Sequence, residues 1–510
     1  MQKIEQYNIF KLPVNDLNIT GIVEYCATIK KGNREIFIPV FKSGSKEYMM
    51  HFMPDEPGIW NYHIEFGGQS INGEFECIAQ TGSNHGPVVV KEDRFSYADG
   101  SRYIPFGTTC YAWTNQPAEL QEQTLKTLAE KPFNKIRMCV FPKSMPYNHN
   151  DPEHYPFHKK EDGSWNIQDL DFAFWDNLED RIASLGNLGI EADLILFHPY
   201  DRWGFATLSQ EESLSYLEYC VARFAAYSNI WWSLANEYEL LTKKSIENWD
   251  EYGEMLLERD PYQHLVSIHN ILTVYPKRTW MTHCSIQSGH IHNVINWKQE
   301  YQLPVLIDEC GYEGDIEYDW GNLSAFEMVH RFWWTLCRGG FCTHGETFHR
   351  DDEVLWWAKG GLLHGESPKR IQFLKDLVYS LPGEGVVKSQ KFGTNPNLDP
   401  ADTEAVKQAE VFGKLISGLP EYQREGLVAH TPMIISGQFY QLRYFGHTCP
   451  RFTSIELPEN GKYRIEVIDI WAMTRTITAH MVSGHLQIGL PAKEGIAVLV
   501  THLEGEHMGQ

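Results

Sequence analysis

No apolar run in the chain approaches the roughly 18 residues of a membrane span. Its start, Met1-Gln-Lys-Ile-Glu-Gln-Tyr-Asn-Ile-Phe10, lacks a basic segment followed by an apolar stretch. These absences predict a soluble protein that is not exported, with the cytoplasm as its location and no membrane partner. Positive charge is also scarce: Lys and Arg number 44 against 67 Asp and Glu, a net charge of -23. Such an excess repels phosphate backbones and anionic lipid, which argues against a nucleic-acid partner. The 10 cysteines include no CxxC pair, and several, such as Cys139 and Cys342, fall in apolar, strand-like runs. That is the pattern of reduced, packed thiols in a cytoplasmic protein. No repeat at a solenoid or propeller period occurs, and no low-complexity run.

Aromatic residues are abundant, at 13% with 16 Trp. Flat indole faces suit the C–H side of a neutral, hydroxyl-rich sugar ring, although large cores also consume Trp. The 510 residues correspond to about three domains by length alone, but an α/β barrel of about 250 to 300 residues counts as one. Residues 1–85 read as short alternating strands, among them Gly21–Ile29, Glu35–Val40 and Trp60–Phe66, and predict an N-terminal β-sandwich that ends near Gly82–Pro87. From 86 to 385, short apolar strands alternate with amphipathic helices, which implies parallel βα units. The predicted strands are Tyr103–Thr108, Lys135–Phe141, Glu191–Phe197, Ile230–Ala235, Leu265–His269, Cys284–Gln287, Val305–Asp308 and Gly340–His344. Eight is the number that closes a (β/α)8 TIM barrel. Phe174, Leu178, Ile182 and Leu185 share one helical stripe, and Ser324–Arg338 carries another. Residues 386–427, with the polar run Asn395–Pro400, read as a loop or connecting segment, and strands returning from 428 to 510 predict a C-terminal β-sandwich.

In such a barrel the C-terminal ends of the strands form the active face. Strand four, Ile230-Trp-Trp-Ser-Leu-Ala235, runs straight into Asn236 and Glu237, and Glu309 closes strand seven 72 residues after Glu237 (309 − 237). The same rule selects Trp113 after strand one, Arg137 in strand two and His198 after three. It adds His269 and Asn270 after five, His290 and His292 after six, and His344 and Glu346 at strand eight. Glycoside cleavage needs one carboxylic acid to protonate the leaving oxygen, and one carboxylate to attack the anomeric carbon or activate water. Glu237 and Glu309 can supply both, and the Asn236 amide can donate to the sugar hydroxyl beside the anomeric carbon. Strand-end acids also serve as helix caps and ion-pair partners, and Glu239, Glu313 and Glu346 compete for the role. Asp308 should point away from Glu309, because strand side chains alternate, and is read as structural. Arg137 either keeps the nucleophile ionised or belongs to a structural ion pair in the barrel. His198, His269, His344, Trp113 and Glu346 are candidate sugar-binding residues.

At Asn236-Glu237 and Glu309 the chain resembles clan A of the glycoside hydrolases. The segments Phe52–Trp60, Asn84–Pro87 and Ile104–Trp113 extend the likeness to a bacterial glycoside hydrolase family with an N-terminal sandwich, an apiosidase-like barrel and a short C-terminal sandwich. The resemblance implies a retaining enzyme, with Glu237 as acid/base and Glu309 as nucleophile; for a protein that is not exported, β-linked short oligosaccharides or glycosides are the expected substrates rather than polymer. A carbohydrate is then the expected partner, no cofactor or metal is called for, and a homo-oligomer is compatible with the sequence. Two rivals are a metal-dependent hydrolase on the same barrel, suggested by the pair His290-Ile-His292, and a barrel that only binds glycans. Strand one, Gly107–Trp113, carries no ligand pair of the kind such metallohydrolases place there, and neither glutamate is missing.

Overall fold

The computed structural model describes residues 1–14, 21–66, 68–82, 84–383, 388–389 and 401–504. The chain divides into two units, Met1–Gln287 with His349–Leu363, and Ser288–Phe348 with His364–Gln510.

The first unit opens with a seven-stranded sheet, in which Gln2–Glu5 lies parallel to Gln69–Ile78 and the other neighbours are antiparallel. Alternation along these strands turns Ala27, Ile29, Val40, Met50, Trp60, Ile64 and Phe75 into one core. Five strands then lie side by side and parallel: β1 Gly107–Thr109, β2 Lys135–Cys139, β3 Glu191–Phe197, β4 Ile230–Ala235 and β5 Val266–Ser267. A sixth, β6 Cys284–Gln287, bridges to His269 through Ser285. Every residue of β2, β3 and β4 is buried, as strands covered on both faces must be. Between them run α1 Ala118–Ala129, α2 Phe172–Asn187, α3 Gln210–Phe224 and α4 Ile246–Arg259. Ser209 and Ser245 start α3 and α4 with reciprocal capping boxes, and the Phe174, Leu178, Ile182 and Leu185 stripe of α2 is buried.

In the second unit α5 Val294–Tyr301 precedes β7 Val305–Glu309, and α6 Ala325–Leu336 precedes β8 Phe341–His344. The strands β7 and β8 are parallel, with Leu306 opposite Phe341 and Ile307 opposite Cys342. Helix α7, Ser367–Tyr379, follows. These eight strands are those of a (β/α)8 barrel, flanked in the chain by β-rich domains. The C-terminal domain has a six-stranded sheet and the antiparallel pair Phe452–Leu457 with Gly484–Gly489, enclosing Phe445, Ile465, Ile488, Ile496 and Val498. Where the sequence predicts only a connecting segment, two helices occur, Thr403–Ser417 and Glu421–His430. Neither buries a residue. The run Asn395–Pro400 lies outside the described residues. Among the described residues no helix is long and apolar enough to cross a membrane.

The N-terminal sheet meets the barrel helices through polar contacts, from a half-exposed lysine to a buried acid, rather than through a simple linker. Lys11 Nζ bonds Glu179 at 2.6 Å, Arg223 Nε bonds the other Glu179 oxygen at 2.7 Å, and the Tyr219 hydroxyl donates to the Lys42 carbonyl at 2.9 Å. His51, Arg223 and Lys11 outweigh desolvation and hold the Glu179 carboxyl down at about 2. Removing the sheet strands a buried Arg–Glu pair without its partners, which is costly. A chain beginning after about Ser83 should therefore express as insoluble protein, or melt well below the full chain, in differential scanning calorimetry. A soluble fragment with full activity and unchanged melting would show the N-terminal domain to be dispensable.

Candidate active site

Strand β4 delivers Asn236 and Glu237 together, and both are buried. The chain turns sharply at Glu237, which adopts a left-handed conformation with φ 50° and ψ 56° before the short 3-10 turn Tyr238–Leu240. A glutamate has no intrinsic preference for that region, and such backbone is held only where the surroundings impose it. Here the Asn236 amide donates to the Phe197 carbonyl at 2.9 Å, and the Tyr238 amide to the His269 carbonyl at 3.0 Å, which pins both sides of the turn. The Glu237 carboxylate is gripped at each oxygen. The Tyr200 hydroxyl donates to Oε2, and Gln287, with its amide oriented to satisfy its neighbours, donates to Oε1 at 3.0 Å.

Asn236 is equally constrained, since its Oδ1 accepts from Arg137 Nη2 at 3.1 Å and from the Tyr111 hydroxyl at 3.3 Å. With the oxygen so committed, the amide NH2 is the end that can donate to a ligand. Arg137 also donates to Ser285 Oγ at 3.0 Å and lies 3.5 Å from Asp193, whose carboxylate is 2.8 Å from Lys135. Of the two readings of Arg137, its place in a buried barrel ion pair is thus on view, together with a grip on Asn236. Lys143, which strand-end selection passes over, is buried with its ammonium 3.3 Å from the centre of the Tyr111 ring and 4.5 Å from that of Tyr200. Desolvation lowers it to about 8 despite the attraction of Cys139 and Glu237.

His198 is buried, bonds the Phe141 carbonyl through Nε2 at 3.2 Å, and is pushed down to about 3 by burial and Lys143, so it is a neutral imidazole. Trp113 is fully buried and has no hydrogen-bond partner at Nε1 among the described residues. His269 is fully buried beside β4, with its backbone amide on the Ala235 carbonyl at 3.0 Å. Glu239 is occupied elsewhere, accepting the amides of Ile271, Leu272 and Thr273 at 2.7, 3.0 and 2.6 Å.

In the second unit Glu309 ends β7, 8% exposed, with its carbonyl accepting the Ser288 amide at 2.9 Å. Burial pushes its carboxyl up to about 8, and a hydrogen bond from Tyr312 offsets only part of this. The direction is opposite to that of a nucleophile kept ionised at rest. The Tyr312 ring packs against Gly345, where a Cβ would come within 2.0 Å of it. Asp308 alternates to the other side of the strand and accepts the Thr343 hydroxyl at 2.8 Å.

Glu346 is committed to the loop that starts α7, accepting the amides of His364 at 2.5 Å and Gly365 at 2.8 Å. Glu313 does the same for Glu366 and Ser367, at 2.8 and 3.2 Å. His344 is fully buried beside these two carboxylates, and burial lowers it to about 3. Glu346 and Glu313 are therefore helix-start anchors in this arrangement, which is the structural alternative for strand-end acids. The rings of His290 and His292 are 5.7 Å apart and edge-on, and neither belongs to a group of three metal-ligating side chains among the described residues.

Residues 90–381 match the model of the family described as "Apiosidase-like, catalytic domain". The chain belongs to that family. Residues 430–501 match a second family, described as a domain of unknown function, DUF5605. A Bacteroides vulgatus ATCC 8482 structure named as a "putative glycoside hydrolase" is 32% identical, with a TM-score of 0.85 over 98% of this chain and 100% of its own. A glycoside hydrolase family 5 protein from the same organism is 16% identical, with a TM-score of 0.59 over 82% of this chain and 94% of its own. A third structure, named "Glycoside hydrolase", is 13% identical at a TM-score of 0.58, covering 82% of this chain and 97% of its own. The last two show likeness of fold alone. None of the curated proteins matches. As a member of the apiosidase-like catalytic family, this chain is a glycoside hydrolase, and its expected partner is a carbohydrate.

Within that frame, strand-end selection misses Tyr111, Lys143, Tyr200 and Tyr312, all of them on loops after strands. Gln287 is itself the last residue of β6, so the rule that selects Glu309 at β7 could have found it.

Proposed function

We propose that this glycoside hydrolase retains anomeric configuration, with Glu309 as nucleophile and Glu237 as acid/base, on β-linked glycosides or short oligosaccharides. The observation that carries the reading is the strand-end turn at Asn236-Glu237. A carboxyl group held by a phenol and an amide, beside an asparagine whose amide NH2 is turned outward by Arg137, suits proton transfer to a leaving oxygen and donation to the neighbouring sugar hydroxyl. The family description makes apiosides the first substrates to test, followed by aryl glycosides and plant-derived oligosaccharides. Proton NMR of the first product formed should show the anomer of the substrate, and the opposite anomer would exclude a glycosyl-enzyme.

Attack requires Glu309 as a carboxylate, so its raised value sets the pH dependence. The acidic limb of kcat/KM should lie well above the usual carboxylate range, towards the value of about 8 to which burial brings Glu309. Tyr312→Phe removes a donor that favours the ionised form, and should move that limb upward by about one unit. A limb in the ordinary carboxylate range, unmoved by the substitution, would separate Glu309 from the rate.

The same shift has a consequence for stability. A carboxyl raised from 4.5 to about 8 binds its proton more tightly in the folded state, so stability falls as pH rises through that window. Glu309→Gln has no such loss, and its melting temperature relative to the unsubstituted protein should climb between about pH 5 and about pH 9. Parallel curves over that range would mean that Glu309 is ionised in the folded protein throughout.

A further inference from the structure

On α6, Glu327 and His330 are three residues apart and share a face. His447, in the connection between strands Tyr440–Tyr444 and Phe452–Leu457 of the C-terminal domain, meets them, and one ligating atom from each of the three lies within 4.8 Å of the others. His447 Nε2 is 3.2 Å from Glu327 Oε2, and the two imidazole rings are 4.0 Å apart at 36°. Ligands about 2.0 to 2.2 Å from a tetrahedral zinc stand roughly 3.3 Å from one another. The spacing is that of one edge of such a tetrahedron.

Two of the three side chains are held from behind as metal ligands are. Glu327 Oε1 accepts from Arg331 Nε at 2.7 Å, which leaves Oε2 as the single ligating oxygen. His330 Nδ1 is 3.0 Å from the Tyr444 hydroxyl, so Nε2 is the nitrogen left for a metal. His447 Nδ1 is 3.7 Å from Glu494, beyond hydrogen-bond reach, so that carboxylate adds negative charge near the site without fixing the ring. His330 is buried. Arg331 opposes a cation here, while Glu327 and Glu494 favour one.

We propose that Glu327, His330 and His447 bind one divalent zinc ion, which fastens the C-terminal domain to α6. Two imidazoles and one carboxylate select zinc over calcium or magnesium, which prefer all-oxygen sites. A fourth position is left for water. None of the three residues belongs to the sugar-cleaving machinery proposed above, so the ion stabilises the fold and takes no part in glycoside cleavage.

The test uses the full chain, stripped with chelator, reloaded with zinc and desalted. Elemental analysis should find one zinc per chain, and the melting temperature should rise by several degrees on loading. His447→Ala, at a half-exposed position, should keep the far-ultraviolet circular dichroism of the unsubstituted protein and weaken zinc binding on the order of 100-fold or more. Glu327→Gln should do likewise, and His292→Ala should retain the ion. Absence of stoichiometric zinc, equal retention by His447→Ala and Glu327→Gln, or loss in His292→Ala alone would overturn the proposal, the last by placing the metal at the other histidine pair. Calcium or magnesium binding as tightly as zinc would also contradict it.

Discussion

Glu309→Ala is expected to lose turnover of every glycoside by on the order of 10⁴-fold or more, whatever the leaving group, because no covalent intermediate can form without the attacking carboxylate. The loss should be the same for alkyl and for activated aryl glycosides, since departure of the aglycone depends on attack in both. Initial rates on a graded series of leaving groups measure this. Substantial activity surviving in the variant would remove Glu309 from the mechanism. Glu346 would then be a poor replacement, because both of its oxygens already accept backbone amides of the loop before α7.

Glu237→Ala should behave differently, and the contrast separates acid/base from nucleophile. A poor leaving group needs a proton at the moment of departure, so its cleavage should slow by about 10² to 10⁴-fold. An activated aryl glycoside needs none and should form the glycosyl-enzyme nearly as fast as before. Hydrolysis of that intermediate then lacks its base, so the enzyme stalls until a small anion replaces water. Added azide should restore turnover and give a glycosyl azide of retained configuration. Equal losses across all leaving groups, or an azide product of inverted configuration, would remove Glu237 from the acid/base role. Tyr200→Phe and Gln287→Ala bear on the same group more mildly, because each removes one of the two donors that orient the carboxylate.

The sequence carries the architecture wherever a strand is a continuous apolar run. Glu191–Phe197, Ile230–Ala235 and Cys284–Gln287 have the same bounds in sequence and structure. At strand one the apolar residues Tyr103 to Phe106 are buried, yet pairing starts only at Gly107. Burial and hydrogen-bonded pairing are separate properties, and hydrophobicity reports only the first. Thr403–Ser417 does carry apolar residues at helical spacing, Ala405, Ala409, Phe412 and Ile416, but beside the polar run Asn395–Pro400 the whole stretch reads as a connection, and in the structure Val411, Phe412 and Leu415 stay more than half exposed.

At the site, the strand-end rule selects Asn236, Glu237 and Glu309 but cannot say which other acids are spoken for. Glu239, Glu313 and Glu346 resemble catalytic carboxylates until their backbone-amide partners are seen. Those partners come from loops 18 to 54 residues away in the chain, a distance over which sequence spacing carries no geometry. Lys143 and Tyr111 are invisible for the same reason, their cation–π contact depending on the paths of two loops.

Trapping the covalent intermediate tests the central claim most directly. A substrate glycoside fluorinated at the carbon beside the anomeric centre, with an activated leaving group, slows hydrolysis of the glycosyl-enzyme more than its formation. Peptide mapping by mass spectrometry of the inactivated protein should then find one sugar per chain, esterified to Glu309. Labelling at Glu237, Glu313 or Glu346, or turnover of a natural glycoside by a protein that never accumulates a covalent adduct and releases the inverted anomer, would contradict the two-glutamate retaining account.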